Sequence, residues 1–385
     1  MPYAHRPHVL DADSHLMEGL TWLRDHADPS VRELLPDLTP ALDKGGVGAA
    51  SKIAQGLARI GDVDRADELA EDVIASAKGW MALGAMDPAE RTRALDLLGF
   101  GSQLVFSTFS VGLFAFAQDP DVVYGGTRAH NRMMTEFCNG DDRLVSVGFL
   151  PLDDPDRTLA AVDEALEMGC GALWLAHATS AGRSPAHVDN DPVWAAIQDA
   201  GIPIVMHVGG GKSSVSKGWH DNGLPRPKDL HGGGENLRAK DLPSVHHAAE
   251  TWLSVMILDG VFDRFPGLRC GVIEMGASWA PSLMSRLDYA AKSFSRTEPR
   301  IAELSMKPSD FIRRQIRFTP FPGEDVAQMI AHSGPELYLF SSDYPHPEGT
   351  KDPIGKFEKS FDACDVDQAA RQMFYEDNYR TLLGA

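Results

Sequence analysis

One pattern narrows the folds open to this 385-residue chain more than any other. From about residue 87 onward, helical patterns alternate with short apolar runs. DPAERTRALDLLGF leads into SQLVFST (102–108), GTRAHNRMMTEFCNG into RLVSVGFL (143–150), and DDPDRTLAAVDEALEMG into GALWLA (171–176). DPVWAAIQDAG leads into IPIVMHV (202–208), and a long amphipathic stretch into LRCGVIEMG (268–276). KPSDFIRRQ and PGEDVAQMIAHSG precede IRFTP (316–320) and ELYLFSSD (336–343). With HVLDAD at the start, the strand candidates number eight. Most helical stretches open on Asp-Pro, Ser or Asp and stop at Gly, the residues that satisfy helix ends. Strands that alternate with helices pair in parallel. Eight such units predict an α/β fold, a (β/α)8 TIM barrel forming a single domain over residues 1–385.

Two stretches break the rhythm. Residues 16–86 are polar and helical in pattern, with GGVGAASK as a soft spot. They read as an insertion after strand one that caps the barrel mouth. Residues 209–245 are rich in Gly, Ser and Pro and follow strand five directly. Long loops of this kind are usually functional, and the position predicts an active-site loop.

Charge and cysteine usage narrow the partners. The chain has 36 basic and 55 acidic residues, a net charge of −19. That argues against nucleic acid or an anionic membrane as partner. It leaves room for a small anionic substrate, because a local arginine or a metal overrules the global field. Cys138, Cys170, Cys270 and Cys364 are too scattered for a zinc knuckle or redox pair. They read as reduced, buried thiols of a cytoplasmic protein. The opening MPYAHRPHVLDADSH has no apolar core of a signal peptide, and no run reaches the length of a membrane span.

The residue types at the strand ends suggest chemistry. Asp13 and His15 stand two apart in HVLDADSH, so a strand points both to one face. His207 follows the apolar run GIPIVM, and Asp343 follows ELYLFSS. Each alone has a plain reading as a turn-capping acid or a satisfied core histidine. Together they fall at carboxyl ends of strands, where barrel enzymes keep their chemistry. Asp13, His15, His207 and Asp343 are therefore the expected ligands of one divalent metal ion. Two carboxylates and two imidazoles suit zinc or manganese.

These motifs resemble the amidohydrolase superfamily, in the branch around aminocarboxymuconate-semialdehyde decarboxylase, over nearly the whole chain. Asp13-Ser14-His15 matches the strand-one pattern and His207 the strand-five histidine. GVFDRFPGLRCGVIEMGASW (260–279) resembles the glycine-rich strand-six segment, and FSSDYPHPEG (340–349) the strand-eight signature. The resemblance implies one divalent metal, usually zinc and sometimes manganese. ALWLAHAT, at strand four, carries no lysine that could be carbamylated to bridge two ions, which favours a mononuclear site.

One departure stands out. The branch usually ends strand six with a histidine, and here Glu274 holds the corresponding place. It reads as a ligand, a proton carrier or an orienter of a neighbouring histidine, or else as a loop acid paired with Arg286. His246 and His247 open the next helix upstream and could substitute for the missing imidazole in space, with His247 the catalytic candidate. His177, at the end of strand four, and His346, just past Asp343, are candidate substrate contacts. Arg286, in PSLMSRLD, matches the place where the resemblance implies an arginine for a substrate carboxylate. Its plain alternative is a surface ion pair with Asp288 or Glu274. Trp219, Trp279, Phe109 and Phe114 either wall a pocket or pack the core.

The resulting expectation is a metal-dependent lyase that decarboxylates a small aromatic or unsaturated carboxylic acid, with Asp343 passing the proton. The alternative is a metal-dependent hydrolase of a small amide, lactone or ester through metal-activated water. A third reading is a barrel that binds a small molecule without turnover. The resemblance implies a homo-oligomer. HGGG at 231–234 lacks the G-x-S-x-G elbow of an esterase, and no phosphate-binding glycine loop is present.

Overall fold

The computed structural model describes residues 2–6, 8–38, 49–177, 182–211, 215–225 and 238–384. Among the described residues, seven parallel strands form one sheet in the order of the chain. They are β1 (Val9–Leu16), β2 (Phe100–Ser107), β3 (Leu144–Leu150), β4 (Ala172–Leu175), β5 (Ile204–His207), β6 (Cys270–Ile273) and β7 (Ile316–Phe318). The architecture is α/β and consistent with a TIM-like barrel.

The eighth apolar run behaves differently from the eighth strand expected of it. It touches both edges of the sheet through isolated parallel bridges, Phe318 to Tyr338 and Ser14 to Tyr344. Leu339 N–H donates to Phe318 O at 2.9 Å, and Ala12 N–H donates to Phe340 O at 3.0 Å. Asp343 N–H reaches Asp13 O at 2.9 Å, and His15 N–H reaches Tyr344 O at 2.7 Å. A regular ladder is interrupted because Phe340 N–H is diverted to Phe374 O at 2.9 Å, in the C-terminal helical segment.

Local sequence explains the helices between strands. The helices Pro88–Leu98, Pro120–Cys138 and Pro155–Met168 each begin with proline after an aspartate. Asp87, Asp119 and Asp154 accept from backbone N–H groups of the first turn. Such a cap contributes about 1 kcal/mol. Gly99, Gly169 and Gly201 end helices in the left-handed conformation that only glycine adopts without penalty.

The strands are buried on both faces, and their alternation sorts residues into two cores. Ala172, Trp174, Val205, Ile273 and Leu339 pack together on one side. Leu173, Leu175, Ile204, Met206 and Val272 pack on the other, against Trp194, Trp252 and other helix residues. Interleaved neighbours thus serve different layers, as a period of two requires.

Within the segment 16–86 the described residues include the helices Trp22–Asp25, Ala49–Arg59 and Val63–Ala70 and a short turn at Gly79–Met81. Its last part is tied to the strand ends. Gly79 N–H donates to Pro345 O at 2.9 Å, and Tyr344 Oη–H donates to Leu83 O at 2.6 Å. After β5 comes a short helix, Lys217–His220. The HGGG stretch and much of the surrounding loop lie outside the described residues. All four cysteines are free thiols. Burial pushes Cys138 and Cys170 up to about 12, so they stay protonated. Among the described residues no helix is long and apolar enough to cross a membrane.

A buried polar relay fastens the helix Pro120–Cys138 to β2 and β3. Asn131 Oδ1 accepts from Phe149 N–H at 2.7 Å and stands 3.0 Å from His130 Nδ1. His130 Nε2 is 2.9 Å from Ser107 Oγ. Asn131 Oδ1 is an acceptor, so His130 carries its proton on Nδ1 and accepts at Nε2. Burial depresses this imidazole to about 4. The unfolded chain takes up this proton near pH 6.5, the folded protein only near 4. Stability is therefore complete above 6.5 and falls with pH through that window, by roughly 3 kcal/mol in all. We expect the His130→Gln variant to show a shallower loss of unfolding free energy between pH 6.5 and 4 in urea titrations.

Candidate metal centre

Strand geometry brings the acid and histidine residues together. Asp13 and His15 share one face of β1, and both are buried. His207 is the last residue of β5. Glu274 leaves β6 with φ 57°, and Asp343 leaves the eighth run with φ 52°. Left-handed backbone at residues other than glycine is uncommon and stores strain of about 1–3 kcal/mol. Two such residues, both carboxylates at strand ends, point to a site rather than to packing.

The distances define a compact cluster. Asp13 Oδ1 is 3.3 Å from His15 Nε2 and 3.3 Å from His207 Nε2. His207 Nε2 is 3.4 Å from Glu274 Oε2. His15 Nε2 is 3.5 Å from Asp343 Oδ1, which lies 3.0 Å from His346 Nδ1. One donor atom each from Asp13, His15, His207 and Glu274 fits within 4.8 Å, and a second such group joins His15, Asp343 and His346.

Supporting contacts orient these donors. His207 Nδ1–H donates to Val208 O at 3.0 Å, which leaves the Nε2 lone pair facing Asp13 and Glu274. His346 stacks on His15 with ring centroids 3.8 Å apart, and its Nε2 is 3.0 Å from Thr108 Oγ1. Thr319 Oγ1 accepts from Glu274 N–H at 2.7 Å. Behind the cluster, Asp11 accepts from Gln103 Nε2, Ser342 N–H and Ser342 Oγ at 2.8, 2.8 and 2.6 Å. It joins β1, β2 and the eighth run. Arg91 donates to the carbonyl of His15.

The electrostatics fit a cation. Burial by itself raises the Asp13 carboxyl, but the facing His207 and His15 pull it well below the ordinary carboxylate range. Three carboxylates and three imidazoles thus converge where almost no water reaches. Lone pairs on oxygen and nitrogen in this number suit a zinc or manganese ion, so the residues present fit a bound divalent metal.

The other candidates from the sequence go elsewhere. His247 is exposed and lies edge-on to His246, which stacks on Trp279. The imidazole next to Asp343 is His346 instead. Arg286 is mostly exposed and ion-pairs with Glu250, so neither Asp288 nor Glu274 is its partner. Asp288 accepts from Ser309. His177 is buried beside a larger cavity of about 690 Å³ bordered by Phe149, Tyr124 and Arg157. Burial, with His207 nearby, lowers it to about 4 and keeps it neutral. Phe114 and Trp279 belong to the core, Phe109 stacks on Trp80, and Trp219 is exposed.

Three residues near the cluster escape sequence reasoning. Glu18 Oε1 accepts from the backbone of Phe109 and Ser110 at 2.9 and 2.8 Å. Lys78 brings a buried ammonium against the Tyr344 ring and into the field of Asp343, and burial lowers it to about 8. Arg238 lines a cavity of about 360 Å³ together with Asp13, Glu274, Asp343 and Phe321. Lys78 and Arg238 lie in the irregular segments 16–86 and 209–245, where no periodicity marks them; only the spacing of Glu18, three residues past His15, was visible.

Convergent carboxylates repel one another without a counter-ion. We therefore expect a chelator to lower the melting temperature in scanning calorimetry. Restored manganese or zinc at a hundred times its Kd should return about 2.7 kcal/mol of stability. No shift on chelation would contradict a metal at this cluster.

Comparison with known proteins agrees with the fold. A gamma-resorcylate decarboxylase from a Rhizobium species is 24% identical over 266 residues, 66% of this chain and 74% of that protein. The crystal structure of an amidohydrolase from Mycobacterium avium subspecies paratuberculosis is similar with a TM-score of 0.69 and 22% identity, covering 99% of this chain and 100% of that one. A 5-carboxyvanillate decarboxylase from Novosphingobium aromaticivorans, complexed with manganese and 4-hydroxy-3-methoxy-5-nitrobenzoic acid, is similar with a TM-score of 0.63 and 18% identity, covering 98% and 96%. The family model for amidohydrolase matches residues 11–385. Strand order, clustered donors and this end-to-end match lead to one conclusion: the chain belongs to the amidohydrolase family.

Proposed function

We propose that this protein is a metal-dependent decarboxylase of a small aromatic carboxylic acid. The observation that carries the reading is the buried donor cluster opening into a cavity of about 360 Å³, roomy enough for one substituted ring. The decarboxylases among its relatives support the same chemistry. The supporting architecture is a (β/α)8 barrel in a single domain, with the run 336–343 closing it as the eighth strand and residues 16–86 capping the mouth. Asp13, His15, His207 and Asp343 hold one divalent ion, zinc or manganese, with Glu274 beside it. The resemblance extends the proposal to a homo-oligomer.

When bound, the ion supplies positive charge that holds a substrate carboxylate and the oxygen next to it. The chain's own groups do the rest. His346 bridges Thr108 Oγ1 and Asp343 Oδ1, a path along which a proton reaches Asp343. Asp343 Oδ1 then delivers that proton to the ring carbon. The bond from ring to carboxylate breaks, its electron pair takes the proton, and carbon dioxide leaves. Phe321 and the adjacent prolines wall the cavity and keep bulk water from the carbon that is protonated. His346 is buried, so it acts through Asp343 as a positioning residue.

A hydrolase is the second reading, and Glu274 favours it. A carboxylate in place of the strand-six histidine can take a proton from water. Incubation with hydroxybenzoates and assay for released carbon dioxide separates the two. We expect release by the native protein and a fall of about 10²- to 10⁴-fold in kcat for Asp343→Asn. Turnover of lactones or amides with no carbon dioxide would replace this reading with hydrolysis. We further expect His207→Ala to lose the metal, as measured by elemental analysis after dialysis. Retained stoichiometric metal in that variant would remove His207 from the ligand set.

A further inference from the structure

The larger cavity, of about 690 Å³, stands apart from the donor cluster. It shares no lining residue with the cavity of about 360 Å³ that reaches Asp13, Glu274 and Asp343. Its walls come from the turn after the short helix Val111–Phe114, from the starts of the helices Pro120–Cys138 and Pro155–Met168, and from residues just past β4. Phe116, Tyr124 and Phe149 present rings to it, and small or aliphatic side chains such as Ala117, Leu152 and Ala248 fill in between. Walls of this kind suit a flat aromatic guest.

The charges around the cavity decide which aromatic guest. Its charged side chains are Asp153, Asp154 and Arg157. Both aspartates are exposed at the rim, and Asp154 caps its helix by accepting from backbone N–H groups. Arg157 pairs with Asp121 at 3.1 Å and lies 4.2 Å above the Tyr124 ring. The Tyr124 hydroxyl is engaged by Thr158 Oγ1 at 3.1 Å and by the backbone of Asp154. An anion therefore meets two carboxylates and an arginine already paired. A cation finds acids only at the rim, where water screens them.

His177 is the polar group set deep in the wall. It is 4% exposed, and its Nδ1 has no hydrogen-bond partner. A Cβ on Gly211 would stand 2.2 Å from its Nε2, so glycine at 211 is what leaves room for the ring. Burial, with His207 nearby, keeps the imidazole neutral. A neutral imidazole offers one N–H donor and one lone pair, and a hydroxyl group can answer either.

We propose that this cavity is a second ligand site, selective for a neutral aromatic molecule with a phenolic hydroxyl. The hydroxyl bonds to His177, and the ring lies among Phe116, Tyr124 and Phe149. The site does not depend on the chemistry at the donor cluster. A hydroxybenzoate that loses carbon dioxide becomes a phenol, so on the decarboxylase reading the guest belongs to the product's class.

Titration of the native protein with 2-naphthol, 2-naphthoate, 2-naphthylmethylammonium and naphthalene tests the proposal. We expect 2-naphthol to bind at one site, roughly tenfold more tightly than either ion, because burying an unpaired charge is costly. Ala117→Trp and Ala248→Leu fill the cavity from two separate segments, so a folding failure in one leaves the other to report. Each should weaken 2-naphthol by about tenfold, since a guest of this size relies on the enclosed surface of its pocket. His177→Phe keeps a ring in place and removes the hydrogen bond. It should weaken 2-naphthol by about threefold to tenfold and bring it level with naphthalene, which has no hydroxyl. Native protein that binds no 2-naphthol, or binds 2-naphthoate as tightly, would overturn the proposal. So would unchanged 2-naphthol affinity in both cavity-filling variants, which would place the guest elsewhere. Undiminished affinity in His177→Phe would remove the hydroxyl contact and the selectivity that rests on it.

Discussion

Asp13 Oδ1 stands 3.3 Å from the Nε2 atoms of both His15 and His207, and almost none of its side chain meets solvent. A carboxylate in that position is stable only while positive charge surrounds it. Everything near it is arranged to keep the geometry. Asp11, two residues earlier on β1, takes hydrogen bonds from β2 and from the eighth run. Asp343 N–H donates to the backbone carbonyl of Asp13 itself. The strands that carry the donors are thus tied to one another beneath the site. The left-handed backbone at Glu274 and Asp343 persists because the surrounding bonds over-determine it.

The mouth around this cluster is divided. One cavity reaches Asp13, Glu274 and Asp343, and a larger one is bordered by the neutral, buried His177. Phe106 and Trp174 pack against His207, and Trp174 also packs against Phe149 beside the larger cavity. The segment 16–86 contributes through its last part, which docks on the chain just past Asp343 and sets the Lys78 ammonium against the Tyr344 ring. The clustered donors of this molecule therefore sit at strand ends, while irregular segments border the cavities beside them, a division common in parallel α/β enzymes.

Much of this was legible in the chain. Asp13 and His15 could be paired because side chains two apart in a strand share a face. The runs ending at His207 and before Glu274 could be seen as strands because apolar stretches of that length bounded by Gly and Pro suit a buried sheet. The eighth run was harder. Its composition matches a strand, yet one of its backbone donors goes to Phe374, and no local pattern announces that choice. Arg286 and His247 illustrate a different difficulty. Both belong to helices, where a shift of one residue rotates a side chain by about 100°. Arg286 turns to Glu250 and His247 to solvent, while His346, on the turn after the eighth run, stacks on His15.

Sequence alone determined the alternation of strands and helices, the aspartate and glycine boundaries of the helices, and the residues at strand ends that carry ligand atoms. These depend on the nearest few residues, through sterics, backbone hydrogen bonds and the two-residue period of a strand. Only the tertiary structure decided that Glu274 enters the cluster with His207, that His346 stands at Asp343, and that Arg238 rather than Arg286 lines the cavity. Those outcomes depend on side chains far apart in the chain meeting at the ångström scale, and on which charge is already paired with a neighbour, neither of which a linear pattern records.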